Sequence, residues 1–74
     1  MSGRVVDARG LEPPEPFERA MEGLMALGKD EEMLLILDRM PHPLLRILDR
    51  DGYRHAEAFR DDGAVEIRIR IRQR

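Results

Sequence analysis

Two short polar stretches hold the residue types that could bind a ligand. Each follows an apolar run, where the chain is expected to leave a strand and begin a helix. Arginines beside helix N-termini can bind an anion, and histidine titrates near neutral pH. The candidate binding residues in these loops are Arg9, Glu12, Glu15, Asp38, Arg39 and His42. The alternative is that the acidic residues are caps or ion-pair partners and the arginines are solvated.

Metal binding at His42 would need further ligands, because a metal site requires several donors that converge at set distances. His55, in the last third of the chain, is the other histidine. We therefore predict no metal and no cofactor. His42, which lies between Pro41 and Pro43, is interpreted as the residue at which a helix begins.

The composition excludes several classes of function. Cysteine is absent from the 74 residues, so the chain has no thiol nucleophile, disulfide or zinc–thiolate site. No nucleophile or acid–base pair can be assembled, and we predict that the protein is not an enzyme. The 13 basic and 15 acidic residues nearly cancel, which does not favour nucleic acid. No apolar run approaches the ~20 residues of a membrane span, and we expect a cytoplasmic protein without a signal peptide.

The first part of the chain predicts a strand and a helix. Residues 4–8 form a short strand. Pro16 begins a helix with Glu15 as its cap, because the missing N–H of proline costs nothing there; Pro14 is the alternative first residue. Gly28 ends the helix. Its buried face combines apolar residues at helical spacing, namely Phe17, Ala20, Met21, Leu24 and Leu27.

The middle of the chain predicts a second strand and a second helix. An uninterrupted apolar run at residues 33–37 is typical of a central strand. After a second proline loop, residues 44–48 predict a short helix that Asp51 and Gly52 close. If both helices cover one face of the sheet, alternate residues of the central strand point to an open face.

The last third predicts a hairpin whose turn is Asp62-Gly63, a signal for a two-residue type I′ turn. This turn sets Ala58 opposite Ile67 and His55 opposite Arg70. The isoleucines then face the helices, and a partner surface forms on the outer face. Its residues are Tyr53, His55, Phe59, Arg68, Arg70 and Arg72.

The predicted fold is a β-α-β-α-β-β two-layer α/β (α+β) sandwich. It has a four-stranded mixed sheet with two helices on one face, because right-handed crossovers place both helices on the same side. Residues 1–74 are expected to form a single domain.

At residues 7–16 the chain resembles the TusA/SirA-like sulfur carriers, whose signature is roughly Leu-Asp-x-x-Gly-Leu-x-Cys-Pro-x-Pro. The matching positions are Asp7, Gly10, Leu11, Pro14 and Pro16. The resemblance implies the same fold, yet Pro13 occupies the position of the persulfide-carrying cysteine. Proline has no nucleophilic atom, so sulfur transfer by this chain is not expected. The chain is closer to a cysteine-less, uncharacterised bacterial branch with Pro-Pro-Glu-Pro here and a downstream Pro-His-Pro.

We therefore expect a non-catalytic protein-binding or regulatory module. The resemblance implies a sulfur-relay or redox enzyme as the kind of partner, and we expect a monomer or weak homodimer with no nucleic acid or membrane bound. The alternative is a small anion- or metal-binding protein that uses the loops around Arg9, Arg39 and His42.

Overall fold

The predicted order of strands and helices is confirmed in the computed structural model, which describes residues 3–71. The elements are β1 (Gly3–Asp7), α1 (Glu15–Met25), β2 (Glu32–Leu37), α2 (His42–Arg50), β3 (Tyr53–Phe59) and β4 (Val65–Ile71). The strands form one mixed sheet in the order β1-β2-β4-β3. β1 and β2 are parallel, and β4 is antiparallel to both of its neighbours. The apolar run in β2 is therefore an interior strand, as predicted.

The hydrophobic core lies between the two helices and one face of the sheet. In β2 and β4, alternate residues face the helices, since Leu35 is opposite Ile67 and both are fully buried. Helices α1 and α2 contribute Ala20, Leu24, Leu44 and Leu48 to the same cluster. The two-layer sandwich is confirmed. Leu34 and Ile36 point to the other face, which no helix covers within residues 3–71.

Helix α1 approaches the sheet closely at Gly23. A Cβ atom at this position would lie 2.5 Å from Met33 Sδ and 3.2 Å from Val6 Cγ2. Met33 is fully buried, so a side chain at Gly23 would push α1 away from β1 and β2.

The bounds of α1 differ from the prediction at both ends. Pro14 is the cap and Glu15 the first helical residue, and no side chain caps the helix. The helix ends at Met25, where the Ala26 N–H is shared between two carbonyls, those of Glu22 and Gly23, at 3.3 and 3.2 Å. This tightened last turn ends the helix early. Gly28 does not close it and has no positive φ.

Helix α2 begins at His42, which agrees with the interpretation of that residue, and it runs further than predicted at both ends. Gly52 follows it with a φ of 85°. The two helices have 11 and 9 residues. Among residues 3–71 there is no helix that is both long and apolar enough to cross a membrane.

The predicted register of the hairpin is wrong by one residue. His55 lies opposite Ile69, and Arg54 lies opposite Arg70. The loop has three residues, not two: the N–H of Gly63 donates to the Arg60 carbonyl at 3.0 Å, and the N–H of Arg60 donates to the Ala64 carbonyl at 2.8 Å. Gly63 has a φ of 89°. This is a type I turn followed by a glycine bulge.

Because the loop has one residue more than predicted, the side chains of β3 lie on the opposite faces of the sheet from those predicted. Odd-numbered residues of β3 face the helices, and Tyr53 packs against the core. Even-numbered residues, including Ala56 and Ala58, lie on the open face. Burial favours this register, since Tyr53 packs against the core and the small Ala56 and Ala58 lie outside.

Candidate functional site

An apolar cleft lies between the two proline loops, beyond the carboxyl ends of β1 and β2. Its volume is about 470 Å³. All five prolines of the chain line it. The lining residues are Ala8, Leu11, Pro13, Pro14, Pro16, Phe17, Leu37, Asp38, Arg39, Met40, Pro41, Pro43 and Leu44. Ligand sites in sheets of this kind form where loops leave adjacent parallel strands.

Hydrogen bonds between the two loops set the shape of the cleft. The Ala8 N–H donates to the Ile36 carbonyl at 2.9 Å, which extends the pairing of β1 and β2 beyond the end of β1. Asp38 Oδ2 then accepts the N–H of Gly10 at 2.8 Å. Gly10 has a φ of 76°, which an L side chain adopts at a cost. The first loop therefore turns at Gly10 and is held by the second.

The chemistry of the cleft is mainly apolar. Its ionisable lining residues within the described chain are Asp38 and Arg39. Asp38 already accepts a hydrogen bond from the Gly10 N–H. Arg39 is exposed and has no ion pair to any residue in 3–71. Phe17 was predicted to be buried, but it is 42% exposed. It lines the cleft because it lies in the first turn of α1, beyond the sheet-covered part of that helix.

Arg9 is directed away from the cleft and towards two carboxylates. Its guanidinium makes two hydrogen bonds to Asp7, at 2.9 and 2.7 Å, and a longer one of 3.5 Å to Asp62 in the hairpin turn. The hydrogen bonds from Arg9 lower the pKa of Asp7 to about 2. The Arg9 guanidinium is therefore directed to these carboxylates, and it does not line the cleft with Arg39.

The remaining loop candidates also lie outside the cleft lining. Glu12, Glu15 and His42 are exposed, and Glu15 and His42 are the first residues of α1 and α2. Of the six predicted loop residues, the structure thus places Asp38 and Arg39 in the lining of the cleft. Among residues 3–71, no group of three His, Cys, Asp or Glu side chains is placed to hold a metal ion.

The predicted partner surface is divided between two faces, because of the register of the hairpin. Tyr53, His55 and Phe59 lie on the helix side of β3, whereas Arg68 and Arg70 lie on the open face. The prediction of one continuous surface is wrong. Arg72 lies outside the described residues.

His55 instead joins β3 to α2. Its Nε2 is 2.8 Å from Asp49 Oδ1, and its Nδ1 is hydrogen-bonded to Glu57 Oε2. The hydrogen bond with Glu57 is the largest cause of a raised His55 pKa, partial burial opposes it, and Asp49 adds to it. With a carboxylate at each ring nitrogen, the doubly protonated imidazolium is favoured.

Sequence reasoning missed the apolar lining of the cleft and the position of Arg54. The signal for the cleft was present, since all five prolines fall in two loops that follow successive strands. The predicted binding residues in those loops were instead the polar ones. The register predicted from Asp62-Gly63 implies that Arg54 lies on the helix side, opposite Ile71, whereas the three-residue turn places it on the open face.

Comparison with known proteins supports the fold. A solved structure of a SirA-like protein from Desulfitobacterium hafniense superposes with a TM-score of 0.76 at 26% sequence identity, over 89% of this chain and 93% of that chain. Comparison with curated proteins gives no match. The resemblance to the TusA/SirA-like fold is therefore confirmed. A family model matches residues 5–71, and the chain belongs to that family, described as uncharacterized conserved protein (DUF2249).

Proposed function

We propose that this chain is a non-catalytic protein-binding module that uses the cleft between its proline loops to hold an apolar side chain of a partner. The observation that carries the proposal is the cleft itself, an apolar space of about 470 Å³ that all five prolines line. Proline and the Gly10–Asp38 hydrogen bond restrict the loops. A preformed cleft loses little conformational entropy when a partner binds.

The charge at the cleft defines the rest of the partner segment. Arg39 lines the cleft and has no ion pair to any residue in 3–71. A carboxylate next to the inserted apolar side chain would bind this guanidinium. The proposed ligand is therefore a peptide segment with an aromatic or aliphatic residue beside Asp or Glu.

A role in binding without catalysis fits the composition of the loop. Pro13 stands where the sulfur carriers that this chain resembles have their cysteine, and the 74 residues contain no cysteine. A sulfur-relay or redox enzyme is the kind of partner that this resemblance suggests. Incubation with a cysteine desulfurase and cysteine, followed by mass spectrometry, should give no covalent sulfur adduct. Any such adduct would contradict the proposal.

Peptides selected from a random displayed library against the whole chain test the binding role. Selected peptides should combine an apolar residue with a carboxylate. Phe17→Ala and Arg39→Gln should each weaken their binding about tenfold or more, measured by fluorescence anisotropy. The matched controls are Phe59→Ala, on β3, and Arg46→Gln, on α2, which should leave binding unchanged because neither lines the cleft.

The alternative, a small anion-binding protein, predicts a different result that NMR of the same protein can detect. Titration with inorganic phosphate would then shift the amide resonances of Arg9, Arg39 and His42, and Arg9→Gln would abolish the shift. The Asp7 and Asp62 contacts of Arg9 disfavour this result. Loss of peptide binding in Phe59→Ala, with Phe17→Ala unaffected, would contradict the cleft as the binding site.

A further inference from the structure

The open face of the sheet has an excess of positive charge at one point. Three carboxylates lie on this face in the described strands, and each has its own arginine. Glu32 accepts a hydrogen bond from Arg68 at 3.1 Å. The two others are Asp7, paired with Arg9 at 2.7 Å, and Glu66, paired with Arg60 at 3.0 Å.

Arg54 and Arg70 remain without a carboxylate partner among residues 3–71. They are directly opposite each other on β3 and β4, and both are exposed. Residues in this relation have Cβ atoms about 5 Å apart, and like charges there are destabilising. Two arginines at this spacing can bind one carboxylate from both sides.

The surroundings of the arginine pair form a shallow depression of about 560 Å³. Arg68 and the small Ala56 also line it, as do the carboxylate residues Asp30 and Glu32. Beyond Arg68, the next residues across the sheet are Leu34 and Val5, and Val5 is 67% exposed. An apolar strip thus continues from the arginines across the open face.

We propose that Arg54 and Arg70, with Arg68 beside them, dock a carboxylate-bearing segment of a protein partner on the open sheet face. The unpaired positive charge favours an acidic segment, and the apolar strip favours a protein over a bare anion. This site lies on the opposite side of the sheet from the cleft, and it depends on the proposed function only for the class of partner.

A synthetic hexaglutamate peptide tests the site, with hexalysine as the charge control. In a ¹⁵N NMR titration of the whole chain at low salt, hexaglutamate should shift the amides of Arg54, Ala56 and Arg70. Added salt should weaken the binding, because the side chains are exposed. Hexalysine should give no shift at these residues.

Variants separate the site from general charge effects. The double variant R54Q/R70Q should bind hexaglutamate about tenfold more weakly or worse. The double variant R19Q/R46Q removes the same charge from the two helices and should stay within about twofold. Removal of the like-charged pair should not lower the thermal midpoint of R54Q/R70Q, so unfolding cannot explain a loss. Each single variant, R54Q and R70Q, gives an intermediate loss.

Three outcomes would overturn the inference. The first is absence of hexaglutamate binding, or equal binding by R54Q/R70Q. The second is tighter binding of a mixed-sequence single-stranded DNA at the same amides, which would make the surface a nucleic-acid site. The third is saturation of those amides by inorganic phosphate at the same affinity. Phe17→Ala should keep hexaglutamate binding, so failure of the cleft and failure of this site are distinguishable.

Discussion

Asp38 Oδ2 accepts a hydrogen bond of 2.8 Å from the backbone N–H of Gly10 and thereby joins the two proline loops. Gly10 belongs to the loop after β1, and Asp38 directly follows β2. The bond lies at the cleft, because Asp38 is one of its lining residues. A single carboxylate therefore links the two loops beside the cleft.

Replacement of Asp38 by alanine should loosen the first loop. The variant loses a hydrogen bond to a charged acceptor, and the exposure of Asp38 limits the cost to about 1 kcal/mol of unfolding free energy. Urea unfolding measures this change, and hydrogen exchange should show faster exchange of the Gly10 amide. Asp51→Ala is the control, because the ion pair of Asp51 within the described residues is with its neighbour Arg50. Equal stability of the two variants would contradict the linking role of Asp38.

His55 should make stability depend on pH on the neutral-to-alkaline side. Its pKa is raised, first by the hydrogen bond with Glu57. Because the unfolded value is about 6.5, the stabilisation is fully present below that pH and is lost as pH rises through the folded pKa. The unfolding free energy should therefore fall as the pH rises from about 6.5 into the alkaline range.

The substitution His55→Gln should flatten this pH dependence, as measured by urea unfolding across the same range. His42→Gln is the control, since His42 is exposed at the start of α2, and it should keep the slope of the parent chain. Glu57→Gln should reduce the slope more than Asp49→Asn, because the Glu57 contact has the larger effect on the His55 pKa. An unchanged slope in His55→Gln would show that another group is responsible.

Asp7 should titrate well below an ordinary aspartate. Arg9 lowers its pKa from 3.8 to about 2. The stabilisation from ionised Asp7 is present above about pH 3.8 and is lost as pH falls through about 2. A carboxyl ¹³C NMR titration should find this low value and a return towards 3.8 in Arg9→Gln. Arg50→Gln, at the far end of α2, should leave the Asp7 pKa low.

Gly63→Ala should strain the hairpin turn. Gly63 has a φ of 89°, where a Cβ atom costs about 1–2 kcal/mol. Thermal or urea unfolding should show a loss of this size. Gly3→Ala is the matched control, because Gly3 has no positive φ and its nearest neighbouring atom would be 3.8 Å from the new Cβ. If the two variants were equally stable, the bulge glycine would not be required.

The sequence was sufficient for the fold because its strongest patterns come from burial. The apolar run in β2 predicts an interior strand, and the alternation Val65, Ile67, Ile69 predicts a strand with one buried face. Both strands are found in the core. Local caps were less predictable. Gly28 has the residue type of a helix end, yet the shared N–H of Ala26 ends α1 earlier.

The candidate site was harder to predict, because it depends on contacts between distant segments. Arg9 and Arg39 are similar in sequence context, but only Arg9 is within reach of Asp62 in the hairpin turn. The chain also contains two compatible turn signals at Asp61, Asp62 and Gly63. The register that is found is the one in which Tyr53 packs against the core, and such a contact between distant segments cannot be inferred from the turn residues alone.

The three-residue turn also bears on how this fold can diversify. Removal of one residue from it would slide β3 by one position and exchange the side chains on its two faces. Arg54 and the alanines would move under α2, and Tyr53 and His55 would move to the open sheet. Related chains could therefore acquire a different recognition surface through a change in loop length, with no substitution in either strand.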